Sequence, residues 1–181
     1  MKEDNVNDII EYLVNNPNLE EPAIVNAIRA IGDTNDKLAI PYLMDMLVNI
    51  DNSGYILQTV AISLGKLKVD AAVPYIMNYV RKDEFKEIRG GFLYALIKLN
   101  CKKYFIDFID LFCNGSFNVR ELSYLLIEKY YLEEDKDELL KAYKKLESKK
   151  NELNKSKISD NLAFVSKVQK MITTSIDSKL V

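Results

Sequence analysis

The chain has 181 residues, 48% of them apolar, with 25 lysines and arginines against 27 aspartates and glutamates for a formal charge of −2. That length suits one domain, and the apolar content supplies a core that a disordered chain lacks. No apolar run nears the roughly 18 residues of a membrane span, and the acidic start MKEDNVNDII lacks an apolar export signal, so a cytoplasmic protein is expected.

In chain order, Val6, Ile9, Ile10, Leu13 and Val14 predict a short amphipathic helix ahead of Asn15-Asn16-Pro17, a cap over residues 1–16. A repeat follows. Set 33 residues apart, LAIPYLMDML (Leu38–Leu47) and AAVPYIMNYV (Ala71–Val80) share Ala39/Ala72, Pro41/Pro74, Tyr42/Tyr75 and Met44/Met77. The segments before them belong to the same series. AIVNAIRAIG, ILQTVAISLG, IRGGFLYALI and VRELSYLLIE end their patterns at Ile31, Leu64, Leu96 and Ile127, separations of 33, 32 and 31 residues. A short polar connection and a second apolar segment follow each of them.

The second segments carry helical spacing. Ile40, Leu43, Leu47 and Ile50 fall on one stripe, as do Val73, Ile76 and Val80, and Phe105, Phe108/Ile109 and Phe112. A strand would alternate every second residue. Each unit is therefore a helix pair of about 32 residues. One pair cannot bury its apolar stripe, whereas stacked pairs can. The expected fold is all-α, an α-solenoid of about four helix pairs over residues 22–146 in a single domain 1–181. Asp36 and Asp70 are placed to cap the second helix of their pairs, with Pro41 and Pro74 in its opening turn, where N–H groups lack intrahelical partners.

Beyond the repeats, Lys136 to Lys157 is rich in Lys and Glu, with Leu139, Leu146 and Leu153 seven apart. Ile158-Ser159-Asp160 breaks that pattern, and Leu162, Val165, Val168 and Ile172 mark a last amphipathic helix. Residues 147–181 are expected to cap the fourth repeat as a helical hairpin. Coiled-coil self-association has only the three leucines behind it, and the oligomeric state stays open.

The stretch Ile56–Ile76, with Ala61, Leu64-Gly65, Leu67 and Ala72-Val73-Pro74-Tyr75-Ile76, resembles HEAT repeats, especially the short phycobilin-lyase-type kind. Ile88-Arg89 and Val119-Arg120 match that family's apolar-Arg pair early in the first helix. The first two repeats have Ile24 and Leu57 in place of the arginine, and the third has Phe105 near the proline position. The resemblance implies that the second helices line a concave face.

The chain has no histidine. That removes the commonest general base, the triads built on it and the usual zinc ligands. HExxH, CxxC, GxGxxG and the P-loop pattern are also absent from the sequence. Cys101 and Cys113 lack metal or disulfide spacing and read as buried reduced thiols. Gly90-Gly91 sit inside a helix and read as a close-packing point. Asp51-Asn52-Ser53-Gly54 and Asn114-Gly115-Ser116 read as turns rather than a calcium loop or a glycosylation site. Asp107 and Asp110 share a helix face but have no visible desolvating neighbours for acid–base work. No enzyme activity, cofactor or metal is expected.

What remains is a surface. Removing the core stripes leaves Tyr42, Asp45 and Asn49 on the first of the second helices and Tyr75, Asn78 and Lys82, with Arg81 adjacent, on the next. Asp107, Asp110 and Asn114 take the same places on the third. Tyrosine beside short polar groups is interface chemistry. The charge is uneven: −7 over residues 1–60, +3 over 61–132 and +2 over 133–181. An acidic first third suits a basic protein partner and disfavours nucleic acid, which needs a continuous cationic surface. The expected function is a non-catalytic protein-binding module. A bacterial immunity protein that neutralises a basic toxin domain is the narrower reading. A bilin-lyase-type enzyme or accessory with a small molecule in the groove is the alternative, and a nucleic-acid-binding solenoid is disfavoured.

Overall fold

The computed structural model describes residues 5–49, 53–156 and 160–179, and among these the chain forms ten α-helices, several short 3-10 turns and no strand. The fold class is the all-α solenoid that the periodicity predicts. Contacts divide it into two compact units, Met1–Cys101 and Lys102–Val181.

The first unit opens with α1 (Val6–Asn15), whose N-cap Asn5 accepts a hydrogen bond from the Asn7 N–H. α1 buries Val6 and Leu13 and packs against α2 (Glu21–Thr34) and the 3-10 turn Lys37–Ala39. Val14 does not belong to this stripe: it is 61% exposed. One residue past Leu13 is a 100° turn of the helix, which carries Val14 off the contact line.

The remaining helices alternate between the first and second places of the repeat. α3 (Ile40–Val48) packs against α4 (Gly54–Lys66), and α5 (Val73–Arg81) packs against α6 (Arg89–Leu96). The first helices α2, α4 and α6 stack side by side with α4 in the middle. α4 is accordingly buried along most of its length, at Leu57, Val60, Ala61 and Leu64 among others. Fully burying one such aliphatic side chain stabilises by roughly 1.5–3 kcal/mol. On the second helices, Leu43, Leu47, Val73, Ile76 and Val80 are buried as their spacing predicts, and Ile40 is half-buried. Ile50 lies outside the described residues.

Two glycines one period apart set the spacing of the stacked helices. A Cβ on Gly32 would stand 2.5 Å from the Ser63 Oγ, and one on Gly65 would stand 2.7 Å from the Ala95 carbonyl oxygen. The absent side chain is what lets each first helix meet the next. Ser63 then bonds across the same seam, its hydroxyl donating to the Ile28 carbonyl at 3.0 Å. Gly91 similarly faces Gln58, whose amide donates to the Ile88 carbonyl at 2.7 Å, so Gly90-Gly91 are a packing point.

Three of the second helices start the same way. A 3-10 turn, Lys37–Ala39 or Asp70–Ala72, leads into α3 or α5, and Pro41 or Pro74 stands in the first helical turn. In the other unit the turn Lys102–Tyr104 leads into α7 (Phe105–Asn114) with no proline at all. Proline reinforces a start that the 3-10 turn already sets. The two aspartates part company here. Asp36 caps as expected, its carboxylate accepting from the Leu38 N–H at 2.9 Å. Asp70 does not: its carboxylate accepts from the Asn100 N–H at 2.7 Å, thirty residues on. The connection after α6 comes close enough to take that carboxylate, and Asp70 therefore ties one repeat to the next.

The second unit continues with α8 (Phe117–Tyr130), α9 (Lys136–Ser156) and α10 (Asp160–Ser178). α7 packs against α8 and α9, and α9 pairs with α10 as a helical hairpin. Phe105, Phe108, Ile109 and Phe112 are buried, with Phe112 meeting Phe164 edge-on at 5.0 Å. Leu139, Leu146 and Leu153 are buried within this unit, so the seven-residue stripe is core and not a seam for another chain. Their partners are α7 and α10 themselves. α9 also runs unbroken through residues 146 and 147, where the sequence placed the end of the repeats. Of the break at Ile158-Ser159-Asp160, the first two residues lie outside the described ones. Val165, Val168 and Ile172 are buried as expected, and Leu162 is half-buried.

The two arginines that the resemblance singles out do the same job in different units. Arg89 donates to the Lys82 carbonyl, seven residues back, at 3.3 Å. Arg120 donates to the Gly115 carbonyl, five residues back, at 3.4 Å, and also bonds the Asn161 side chain. Each guanidinium closes the connection from a second helix to the following first helix, satisfying a carbonyl that the ended helix leaves orphaned.

Candidate functional site

The expected surface residues of the first unit sit on α3 and α5. Asp45 and Asn49 are exposed, and Tyr42 is half-buried one turn before Asp45. Burial first, and then the Asp45 carboxylate, hold the Tyr42 phenol above the usual tyrosine value. On α5, Tyr75 is 45% exposed, and Asn78 and Arg81 are exposed. The ring that is identical in the two repeats thus has two environments, partly packed at Tyr42 and open at Tyr75. The polar companions differ in sign, with a carboxylate on α3 and a guanidinium at the end of α5.

Tyr79 belongs to the scaffold instead. It stands where the preceding repeat has Met46. The ring is 3% exposed, and its hydroxyl donates to the Leu47 carbonyl at 2.6 Å. It stacks on Phe92 at 5.5 Å and meets Phe85 edge-on at 5.4 Å. Lys82, half-buried, holds its ammonium 5.6 Å over the Tyr79 ring and 5.7 Å over that of Phe85. One turn of helix separates the exposed tyrosine of α5 from its buried one.

The acids of α7 lie in the second unit, and both are half-buried. Asp110 pairs with Lys145 of α9 at 2.7 Å. The pair borders a polar cleft of about 180 Å³ with Cys113 and Lys149. Burial pushes the Cys113 thiol up to about 11, so at neutral pH it is a protonated thiol and a poor nucleophile. Cys101 is buried as well, its thiol donating to the Leu96 carbonyl at 3.5 Å. Among the described residues, no three histidine, cysteine or acidic side chains are grouped to hold a metal ion, and no helix is long and apolar enough to cross a membrane.

Helix pairs repeating every 31 to 33 residues, locked by glycine contacts between first helices and by side chains that cap the preceding repeat, define a helical-repeat protein. The model of the HEAT-repeat family matches residues 6–97, and the chain belongs to that family. Comparison with curated proteins and with solved structures returns no match. HEAT repeats are a protein-interaction scaffold, and that is the class of function the fold carries.

Proposed function

We propose that this chain is a non-catalytic protein-binding module whose docking face is the exposed side of α3 and α5. Tyr42, Asp45 and Asn49 form one half of that face, and Tyr75, Asn78 and Arg81 the other. Asp107 and Asp110 of α7 are assigned to partner contact as well, with Asp110 exchanging its Lys145 pairing on binding. The observation that carries the reading is Tyr75, a large ring left 45% exposed on a helix whose neighbouring tyrosine is buried. Such a ring adds little to the fold and supplies contact area and a hydroxyl to a partner.

The charge of −7 over residues 1–60 favours a basic partner. The narrower proposal is a bacterial, cytoplasmic immunity protein that neutralises a basic toxin domain such as a nuclease. The test is co-purification with the product of an adjacent toxin gene, followed by titration with Tyr75→Ala and Asp45→Lys variants. Each variant is expected to weaken the complex at least tenfold, Asp45→Lys mainly through the association rate and its salt dependence. A toxin that remains fully active in the presence of the chain removes the immunity reading. A partner whose affinity ignores both variants removes the face. A chromophore that co-purifies with the chain would move the reading to the bilin-lyase type.

A further inference from the structure

We propose that Asn114, the last residue of α7, is a site of spontaneous deamidation that the fold holds closed, and that the reaction proceeds only when the corner between α7 and α8 opens. This inference does not depend on the docking face on α3 and α5.

Asn114-Gly115 is the one Asn-Gly step in the sequence. An asparagine followed by glycine is especially labile, because no side chain shields the glycine nitrogen from the asparagine amide. In the reaction the Gly115 nitrogen gives up its proton to base and attacks the Asn114 Cγ. The new N–C bond closes a five-membered succinimide, and the side-chain nitrogen leaves as ammonia. Water then opens the ring at either carbonyl and gives aspartate or isoaspartate at 114. The net change is asparagine plus water to a carboxylic acid plus ammonia.

Packing explains why so labile a step stands here. A Cβ on Gly115 would run into the Val119 side chain and stand 2.6 Å from the Leu111 carbonyl oxygen. The corner therefore demands glycine at 115, while Asn114 beside it is exposed. The same corner ties up the atoms that would react. The Gly115 N–H donates to the Leu111 carbonyl at 2.8 Å and closes the end of α7. Taking that proton breaks the bond, and a succinimide nitrogen carries no hydrogen with which to remake it, so the Leu111 carbonyl loses this donor. The Arg120 guanidinium holds the glycine from its other side, donating to the Gly115 carbonyl at 3.4 Å.

The product would change its surroundings. Asn114 lines the polar cleft together with Asp110, Lys145, Lys149 and Glu152. An acid at 114 adds a third carboxylate to that lining. It also places negative charge at a helix C-terminus, where the macrodipole disfavours it. Isoaspartate further lengthens the main chain by a methylene inside the corner.

The experiment incubates the full chain at about pH 9, native and in ~6 M guanidinium chloride. Peptide mass mapping follows the conversion of Asn114 to the acid, and ion exchange resolves the added negative charge. The native chain is expected to react at least about tenfold more slowly than the denatured one, since the rate tracks the population of the open corner. Arg120→Gln should speed the native reaction about fivefold and leave the rate in denaturant unchanged. Circular dichroism checks that this variant is folded. For the parent, guanidinium below the unfolding transition should raise the rate progressively, a readout that needs no variant. Equal rates in the native and denatured chains would overturn the proposal. So would a native rate that neither Arg120→Gln nor low guanidinium changes, or an Asn114 left intact after the denatured incubation.

Discussion

The Tyr79 hydroxyl donates to the Leu47 carbonyl oxygen across 2.6 Å, from the second helix of one repeat to the end of the second helix before it. Leu47 lies in the last turn of α3, where carbonyls have no intrahelical partner. Tyr79 therefore acts as a C-terminal cap supplied from 32 residues away in sequence. Tyr79→Phe keeps the ring stack and leaves a buried carbonyl unpaired, so urea unfolding should show a loss of about 1–2 kcal/mol. Tyr79→Ala should cost about 3–5 kcal/mol. Tyr75→Ala, one turn away, should stay within about 0.5 kcal/mol of the parent. An equal cost for the two alanine variants would refute the division between scaffold and docking residues.

Gly65 meets the Ala95 backbone, which cannot rotate aside as a side chain can. Gly65→Ala should therefore push α4 and α6 apart and destabilise by about 1–3 kcal/mol, even though alanine is the better helix former. Thermal unfolding followed by circular dichroism reads the outcome directly. A stabilised variant would mean that the helices do not approach as closely as described.

Lys68 ends α4 in the left-handed region, at φ 57°, as Asn35 does for α2 at φ 56°. Asparagine tolerates that region, whereas a lysine side chain strains there. The Lys68 side chain is exposed. Lys68→Gly should stabilise the fold by about 0.5–1 kcal/mol, and Asn35→Gly should change it much less. The pair of denaturation midpoints tests both positions at once.

Glu134 is a buried carboxyl with an unpartnered Oε1. Burial raises its pKa above the usual glutamate value, against the lowering effect of Lys102. The fold therefore favours the protonated acid. That contribution is fully present below the unfolded-state value and is lost as the pH rises through the folded one. Glu134→Gln should accordingly raise the thermal midpoint at pH 7 and leave it nearly unchanged near pH 3.5. A variant less stable than the parent at pH 7 would show that the charged carboxylate is well solvated.

Much of the scaffold could be read from residue spacing. Leu43, Leu47, Val73, Ile76 and Phe108 repeat on one helical stripe, and a stripe of that kind has to be buried by a neighbour wherever the neighbour comes from. The third second-helix begins on schedule without its proline, because the period and the 3-10 turn set it. The candidate site was less legible. Tyr42 and Tyr75 are identical in sequence and unlike in exposure, and Asp36 and Asp70 look like the same cap but only one of them is. For the aspartates the difference depends on what the next repeat brings alongside.

The sequence by itself determined the helix pairs, their period and the family, since apolar periodicity is a local property and local spacing dictates which face of a helix must be covered. Only the tertiary structure decided which tyrosine is mortar and which is surface, and which aspartate caps its own turn and which reaches the next repeat. Those are contacts between residues thirty or more positions apart, and no local pattern encodes the distance between two helices that have yet to meet.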